Sequence, residues 1–198
     1  MMLVGKTRIL LGIINFSIIS TDSKARKGTF SIGEKKIETP SFMTIGTYGA
    51  VKTLDTADLK MCNVEILLSN AFHLMLRPGL EHIKNIGGIH DFMNWDGMIL
   101  TDSGGYQVFS LGQDVKISEE GANFRSPFDG DKILMTPEKS IEIQTKIGSD
   151  IMMVFDECIK FPSDYDKTER SMNLSLRWAE RSKLSNVEKR VLFGIVQG

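Results

Sequence analysis

Four polar side chains of this sequence each follow a short apolar segment, either directly or after one intervening residue. They are Asn70, Asp102, Asp156 and Gln197. Near-continuous apolar segments of this length are typical of parallel strands that are buried on both faces. The carboxyl ends of such strands open onto one crevice, where ligands bind. We therefore expect two carboxylates and two primary amides to converge on one pocket.

A pocket with these groups suits a guanine base. A carboxylate accepts hydrogen bonds from two adjacent N–H groups, so Asp156 fits the edge of guanine that carries N1–H and the 2-amino group. The opposite edge carries O6 and N7, which are acceptors. The amide of Gln197 and the backbone N–H groups of Gly104 and Gly105 can donate to that edge.

Two further residues extend this predicted site. Tyr106 can stack on the face of the base, and Asp102 is then free for proton transfer or for contact with the reacting sugar. Ordinary structural roles stay open for both, because an Asp after a strand is often a helix N-cap and an aromatic residue is often part of the core. Residue types alone also leave a polyol as the ligand, and a glycosidase with two working carboxylates would show the same pattern.

The elements that position these residues alternate between strand and helix after Pro40. The apolar segments are 42–45, 64–68, 98–100, 151–155 and 191–196, and helical patterns at 56–61, 79–86, 137–148 and from Ser163 onwards separate them. This alternation predicts a parallel α/β fold, either an open doubly wound sheet or a (β/α)8 barrel. A complete barrel takes about 250 residues, so if the fold is a barrel, residues 40–198 form an incomplete one of about five strands.

Two other regions have β patterns. Residues 15–39 contain three short strand patterns with a turn at Gly33–Glu34, which predicts a small N-terminal antiparallel sheet. The segment 115–134 contains a hairpin signal at 128–131 and predicts a β excursion from the barrel.

The long helix after position 162 has two predicted features. Ser163 with Asp166 three residues later has the spacing of a capping box, so we expect the helix to begin there. The spacing of Met172, Leu176 and Ala179 predicts that these residues form its buried face.

Composition limits the class of protein. The 198 residues are 41% hydrophobic and 25% charged with a net charge of −1, so the chain is neither disordered nor a polycation. Cys62 and Cys158 are too few for a disulfide framework and form no C-x-x-C pair, which predicts reduced thiols and a cytoplasmic protein. The three histidines lack metal-site spacing, so we expect no metal site and no cofactor in this chain.

The segment that begins at Thr101 is more specific, because it has the unusual sequence Thr-Asp-Ser-Gly-Gly-Tyr-Gln-Val-Phe-Ser-Leu. Other distinctive motifs are Lys24-Ala-Arg-Lys-Gly, Ile37-Glu-Thr-Pro-Ser-Phe-Met, Leu67-Leu-Ser-Asn-Ala-Phe-His-Leu, Arg77-Pro-Gly, Phe124-Arg-Ser-Pro-Phe-Asp-Gly, Phe155-Asp-Glu-Cys, Leu176-Arg-Trp-Ala-Glu-Arg and Phe193-Gly-Ile-Val-Gln-Gly. With these motifs in this order, the chain from about Ser17 to Gly198 resembles the N-terminal portion of tRNA-guanine transglycosylases (queuine tRNA-ribosyltransferases). Residues 1–14 fall outside the resemblance and are expected to be an extension.

The resemblance implies a (β/α)8 barrel preceded by a small sheet. It implies exchange of guanine at the wobble position of a tRNA anticodon loop for a 7-deazaguanine base, in queuosine biosynthesis. Phe155-Asp-Glu-Cys is similar to the bacterial branch, which uses prequeuine base. The implied partners are tRNA with a GUN anticodon, guanine, prequeuine base and a second copy of the enzyme in a homodimer. No membrane partner is expected.

The resemblance also implies site roles. It makes Asp102 the catalytic acid/base residue, and it places Asn70 near the ribose. The substrate-binding set that it implies is Asn70, Asp102, Ser103, Gly104, Gly105, Tyr106, Asp156 and Gln197.

Three features of the family are absent from these 198 residues. They are the nucleophilic Asp that attacks C1′, a C-x-C-x-x-C…His zinc site, and a basic RNA-binding segment, all of which lie after the Val-Gln-Gly motif in the family. Loss of a covalent nucleophile removes most of the rate, so we expect the chain alone to be inactive and one structural zinc to belong to the missing part. The alternative is a non-catalytic base- or tRNA-binding partner subunit of the same fold.

Overall fold

A three-stranded antiparallel sheet begins the part of the chain that the computed structural model describes, which is residues 14–111 and 113–196. Its strands are β1 (Ile14–Asp22), β2 (Ala25–Ile32) and β3 (Lys35–Thr39), paired in the order β1-β2-β3. The turn between β2 and β3 is at Gly33–Glu34. The antiparallel sheet predicted from the sequence is therefore confirmed. The extension predicted for residues 1–14 lies, except for Ile14, outside the described residues.

Strands and helices alternate after β3. In chain order they are β4 (Thr44–Ile45), α1 (Thr56–Met61), β5 (Ile66–Ser69), α2 (Ala71–Leu74), α3 (Leu80–Ile86), α4 (Ile89–Met93), β6 (Met98–Thr101), α5 (Gly105–Leu111), β7 (Gln113–Ile117), β8 (Ala122–Arg125), β9 (Lys132–Met135), α6 (Pro137–Ile147), β10 (Ile151–Met153), α7 (Tyr165–Ser185) and β11 (Val191–Phe193). No helix among the described residues is long and apolar enough to cross a membrane.

Five of these strands form one parallel sheet. Their order is β11-β10-β6-β5-β4, and every neighbouring pair is parallel. This confirms the parallel α/β fold predicted from the apolar segments. The closure of this sheet into part of a (β/α)8 barrel stays a prediction.

Both faces of the parallel sheet are buried. Leu67 and Ile99 belong to a core cluster that includes Phe72 and Trp178. Neighbouring residues on the same strands point the other way and join a second cluster, which also takes in residues of β2 and β3. Burial on both faces explains why the strand sequences are apolar without alternation.

A charged cluster ties the N-terminal sheet to the amino ends of the parallel strands. Lys35, at the start of β3, donates to both carboxylate oxygens of Asp150 at 2.9 and 2.7 Å. His90 Nε2 lies 3.0 Å from the same carboxylate, and the Ile99 N–H donates to it at 2.9 Å. We call Lys35, His90 and Asp150 the amino-end cluster. Its carboxylate is almost completely buried, since only 2% of the Asp150 side chain is exposed.

Two helix starts are as predicted. Asp55 forms a capping box with Asp58 at the start of α1. The Thr136 side chain caps the start of α6 at Pro137. Gly148 caps its other end and has the left-handed conformation, with φ +82°. Both arrangements satisfy backbone groups that a helix end leaves unpaired.

The predictions for the long helix were wrong in two respects. Asp164, one residue later than predicted, is the N-cap, because its carboxylate accepts a hydrogen bond from the Lys167 N–H at 2.8 Å. The buried face contains Leu174 and Trp178, whereas Met172 and Leu176 are exposed and Ala179 is half-buried.

The predicted β excursion is a separate antiparallel sheet in the order β7-β8-β9. It packs on α7, where the Trp178 indole N–H donates to the Glu119 carbonyl at 3.0 Å. The Arg177 guanidinium holds the Glu119 carboxylate with two hydrogen bonds of 2.8 and 2.9 Å. The Trp178 ring also stacks on Phe155, with ring centroids 4.9 Å apart, so contacts with other elements, rather than helical spacing, decide which face of α7 is buried.

Candidate active site

The carboxyl ends of three neighbouring parallel strands bring the predicted site residues together. Ser69 of β5 pairs with Thr101 of β6, so Asn70 and Asp102, which follow them, are neighbours. The Asp102 N–H donates to the Ser69 carbonyl at 3.2 Å. Asp156 follows β10, the next strand in the sheet. The structure therefore brings Asn70 and Asp102 into contact and places Asp156 after the neighbouring strand. A ligand pocket shared by all three stays a prediction.

The Asp102 carboxylate is held by neutral donors. Its Oδ1 accepts a hydrogen bond from the Ala71 N–H at 2.9 Å, and its Oδ2 accepts one from the Gln107 amide at 2.9 Å and another from the Asn70 amide. Asn70 is at the N-cap position of α2 but makes no capping bond with its side chain. The Asn70 side chain thus positions Asp102, and it does not serve the helix that follows it.

Burial dominates the electrostatics of Asp102. Removal of the carboxylate from water raises the pKa of Asp102, and the hydrogen bonds from Asn70, Ala71 and Gln107 only partly oppose this. Burial lowers the pKa of His73, against the opposing charge of Asp102. Asp102 is therefore easier to protonate than an ordinary Asp, and His73 is harder to protonate than an ordinary His.

A second group of contacts lies beside Asp102. The Ser103 hydroxyl donates to Asp156 Oδ1 at 3.3 Å and accepts a hydrogen bond from the Gly105 N–H at 3.2 Å. A Cβ atom at Gly105 would lie 2.6 Å from both the carbonyl oxygen and Oδ1 of Asp156, which is closer than real Cβ contacts allow. A glycine at this position therefore lets the loop after β6 approach the Asp156 carboxylate.

The neighbouring glycine has a different requirement. Gly104 has φ +86°, in the left-handed region that side chains rarely adopt, and its Cβ position faces Phe72. This conformation turns the chain from β6 into α5. It places the Gly104–Gly105 pair next to the strand ends. The Gly105 N–H is bonded to the Ser103 hydroxyl, and donation from these two N–H groups to a base stays a prediction.

A small cavity of about 80 Å³ adjoins the Asp156 carboxylate. It is lined by Gly105, Phe155, Asp156 and Cys158 together with apolar residues of α5 and the β excursion. The Cys158 thiol lies 3.7 Å from Asp156 Oδ2. Cys158 therefore forms part of the wall of this cavity.

Of the two remaining predicted residues, one lies apart from this group and the other cannot be compared with it. Tyr106 is 63% exposed at the start of α5, and its ring lies 6.3 Å from that of Phe109. Gln197 lies outside the described residues. The stacking role of the first and the carbonyl contact of the second stay predictions.

Two residues beside Asp102 were missed by the sequence interpretation. Gln107 was noted only as part of a motif, and His73 was dismissed because it has no metal-site spacing. The buried Gln107 Oε1 and His73 Nδ1 have no hydrogen-bond partner within the described part of the chain. The available signal was helical phase, because His73 lies three residues after Asn70 and Gln107 lies in the first turn of α5.

Within residues 14–111 and 113–196 no group of three or more His, Cys, Asp or Glu side chains could hold a metal ion. The resemblance assigns the structural zinc to ligands that follow the Val-Gln-Gly motif.

Comparisons with known proteins point to one family. A family model described as queuine tRNA-ribosyltransferase matches residues 21–198. Proteins named queuine tRNA-ribosyltransferase are similar to this chain in Pseudomonas aeruginosa (53% identical over 186 residues, 93% of this chain and 50% of the relative), Nitrosospira multiformis (54% over 188 residues, 93% and 51%) and Nitrosomonas eutropha (56% over 186 residues, 93% and 52%). The chain spans about half the length of the curated relatives it matches.

Proposed function

This chain belongs to the queuine tRNA-ribosyltransferase family, and from that premise we propose that the protein exchanges guanine in tRNA for a 7-deazaguanine base. The proposed position is the wobble nucleotide of a GUN anticodon, and the proposed incoming base is prequeuine. An exchange of this kind is a pentosyl transfer, in which the ribose C1′ changes its partner from one base to the other.

One observation supports this function above all. The loop after β6 and the end of β10 place Ser103 and Gly105 against the buried carboxylate of Asp156. In the proposed complex this carboxylate accepts hydrogen bonds from N1–H and the 2-amino group of guanine. Both the departing guanine and a 7-deazaguanine present this same edge, so one carboxylate serves both.

Asp102 has the properties of an acid/base group for this exchange. The departing guanine gains a proton, and the incoming base loses one from the nitrogen that becomes bonded to C1′. Burial raises the pKa of Asp102 toward the range in which a carboxyl group both takes and returns a proton. The amides of Asn70 and Gln107 hold its carboxylate in place.

Two parts of the proposed reaction lie outside these residues. The target guanosine must leave its stack in the anticodon loop before its base can reach a pocket at the strand ends. The resemblance assigns the nucleophile at C1′ to an Asp that lies after the Val-Gln-Gly motif. We propose that the chain described above supplies base recognition and proton transfer, and that structural zinc and a homodimer belong to the complete enzyme.

The test is guanine exchange by the protein at the full length of its reading frame. We expect labelled guanine to enter tRNA at the wobble position, and we expect Asp156→Ala and Asp102→Ala to lose at least about 100-fold in rate. Asp96→Ala is the matched control, because Asp96 is an exposed partner of Lys60. It precedes the amino end of β6, whereas Asp102 follows the carboxyl end of the same strand.

Two results would count against the proposal. Exchange at the normal rate by folded Asp156→Ala protein would remove Asp156 from base recognition. Binding of tRNA or guanine by the unaltered protein without any exchange would favour the non-catalytic partner subunit instead.

A further inference from the structure

The Gln144 side chain is a completely buried carboxamide on α6, on the helix side of the parallel sheet. All four of its hydrogen-bonding positions are used. Its Oε1 accepts from the Met153 N–H at 2.8 Å and from the Thr101 hydroxyl at 3.2 Å. Its Nε2 donates to the Met153 carbonyl at 2.9 Å and to the Ser140 hydroxyl at 3.1 Å. A buried polar group with every position satisfied fixes the geometry of its neighbours.

This amide replaces a missing part of the sheet. The strands β6 and β10 pair only at Leu100 and Ile151, whereas β5 and β6 pair over four residues. Beyond that single pair, the N–H and carbonyl of Met153 bond to Gln144 where a longer β6 ladder would have taken them. The side chain therefore spans the gap between two strands that separate toward their carboxyl ends.

Both strands that Gln144 bridges lead into the candidate site. Thr101 immediately precedes Asp102, and Met153 lies three residues before Asp156. A second connection passes through Ser140, whose hydroxyl donates to the Ser103 carbonyl at 2.7 Å. The hydroxyl of Ser103 in turn donates to Asp156.

We infer that Gln144 is a positioning residue for the base pocket, and that through Met153 and Ser140 it sets the separation between Asp156 and the loop that holds Ser103. This inference rests on the proposed function, since it assigns a purpose to the spacing of those two groups. The carboxamide is required because Glu cannot donate to the Met153 carbonyl and Met can neither donate to it nor accept from the N–H. Gln144 touches no proposed substrate atom, so its effect falls on the affinity for the base.

The test measures guanine affinity by calorimetry and exchange kinetics in the full-length protein. We expect Gln144→Met to weaken guanine binding by about tenfold or more, because two strand ends lose their common partner. We expect Ser140→Ala, which removes the hydroxyl that bonds to both the Ser103 carbonyl and Gln144 Nε2, to weaken it by about threefold to tenfold. In both variants KM for guanine should rise, while kcat at saturating guanine should change by less than about threefold.

Ile147→Val is the matched control for a general weakening of the same helix. Ile147 is completely buried on α6 and belongs to the apolar core rather than to the hydrogen-bonded chain. We expect this variant to lower Tm without changing guanine affinity. Ser140→Ala decides the matter if Gln144→Met fails to fold, because it deletes one hydroxyl and leaves the contacts of Gln144 with Met153 in place.

The outcomes separate this inference from the function on which it rests. Unchanged guanine affinity in folded Ser140→Ala protein, or an equal loss in Ile147→Val protein, would overturn the positioning role while the proposed function stands. Failure of the unaltered protein to bind guanine at all would overturn both.

Discussion

Two buried carboxylates lie at opposite ends of the same parallel sheet and have opposite surroundings. At the amino end, Asp150 contacts the ammonium group of Lys35 and the ring of His90. At the carboxyl end, the hydrogen-bond partners of Asp102 among the described residues are all neutral donors, namely the amides of Asn70 and Gln107 and one backbone N–H. The two sites use the same chemical group in different ways.

The pKa directions express this difference. Burial alone would raise the pKa of Asp150, but the hydrogen bonds and charges of His90 and Lys35 outweigh it and lower the pKa. Burial also acts on Asp102, and there the neutral donors do not outweigh it, so the pKa of Asp102 is raised. A carboxylate that is fully compensated stabilises a fold, whereas one that is left uncompensated is suited to proton transfer.

The largest expected effect is on exchange by Asp102→Asn. The variant retains hydrogen-bonding capacity but cannot take or return a proton, so the exchange rate should fall by about 10²- to 10⁴-fold. Its free energy of unfolding at neutral pH should stay equal or rise, because a buried charge is removed. Radiolabelled guanine incorporation and urea denaturation measure the two quantities. A marked loss of stability would instead make Asp102 a structural residue like Asp150.

The matching change at the other end is Asp150→Ala. It leaves the Lys35 ammonium and the Ile99 N–H without their shared partner, and loss of one member of a buried ion pair costs about 3–5 kcal/mol. Urea denaturation should show this loss. Guanine affinity of the protein that remains folded should be unchanged, and a selective loss of affinity at normal stability would contradict the division between the two ends.

A smaller effect is expected where the two strand-end loops meet. Gly105→Ala places a Cβ atom within 2.6 Å of the Asp156 carbonyl oxygen and Oδ1, so the loop and the carboxylate must separate. We expect guanine affinity to fall by about tenfold or more, with a modest change in Tm. Gly130→Ala is the control for general destabilisation, because φ +79° strains the variant but a Cβ there meets no atom within 4 Å, so Tm should fall without a loss of guanine affinity. Equal guanine affinity in both variants would contradict the close approach.

The smallest expected effect is a pH dependence that differs between the two ends. The pKa of Asp150 is lower in the folded than in the unfolded protein, so its stabilisation is present above the unfolded value of about 3.9 and is lost as pH falls below it. The pKa of Asp102 is higher in the folded protein, so its burial costs stability at neutral pH and that cost disappears as pH falls. At pH 7 the unaltered protein should therefore be more stable than Asp150→Asn, whereas it should be no more stable than Asp102→Asn. Both differences in the free energy of unfolding should shrink as the pH is lowered from 7 to 3.

The strand-end site could be predicted from the sequence because its signal is local. Each strand is a short apolar run, and the polar residue that ends the run is next to it in the chain. Asn70, Asp102 and Asp156 were found in this way, and the N-terminal antiparallel sheet was found from its turn residues. The amino-end cluster has no such signal, since Lys35 and Asp150 are 115 residues apart and each would be expected on the surface.

The failures have physical causes of the same kind. The buried face of α7 could not be read from helical spacing, because Met172 with Leu176 and Leu174 with Trp178 both form apolar stripes. The second stripe is buried because Trp178 stacks on the Phe155 ring and bonds to the Glu119 carbonyl in the turn between β7 and β8. Gln107 and His73 were missed because they lie on helices that follow the strands, and the turn of the helix, rather than a position at a strand end, places them near Asp102.

A crystal structure of the full-length protein with guanine would show whether the loops that follow β6 and β10 form one pocket for the base. We expect N1–H and the 2-amino group of guanine to donate to the Asp156 carboxylate, with Asp102 beside the nitrogen that bonds to the ribose. Guanine bound at any site that leaves Asp156 without contact to the base would contradict it.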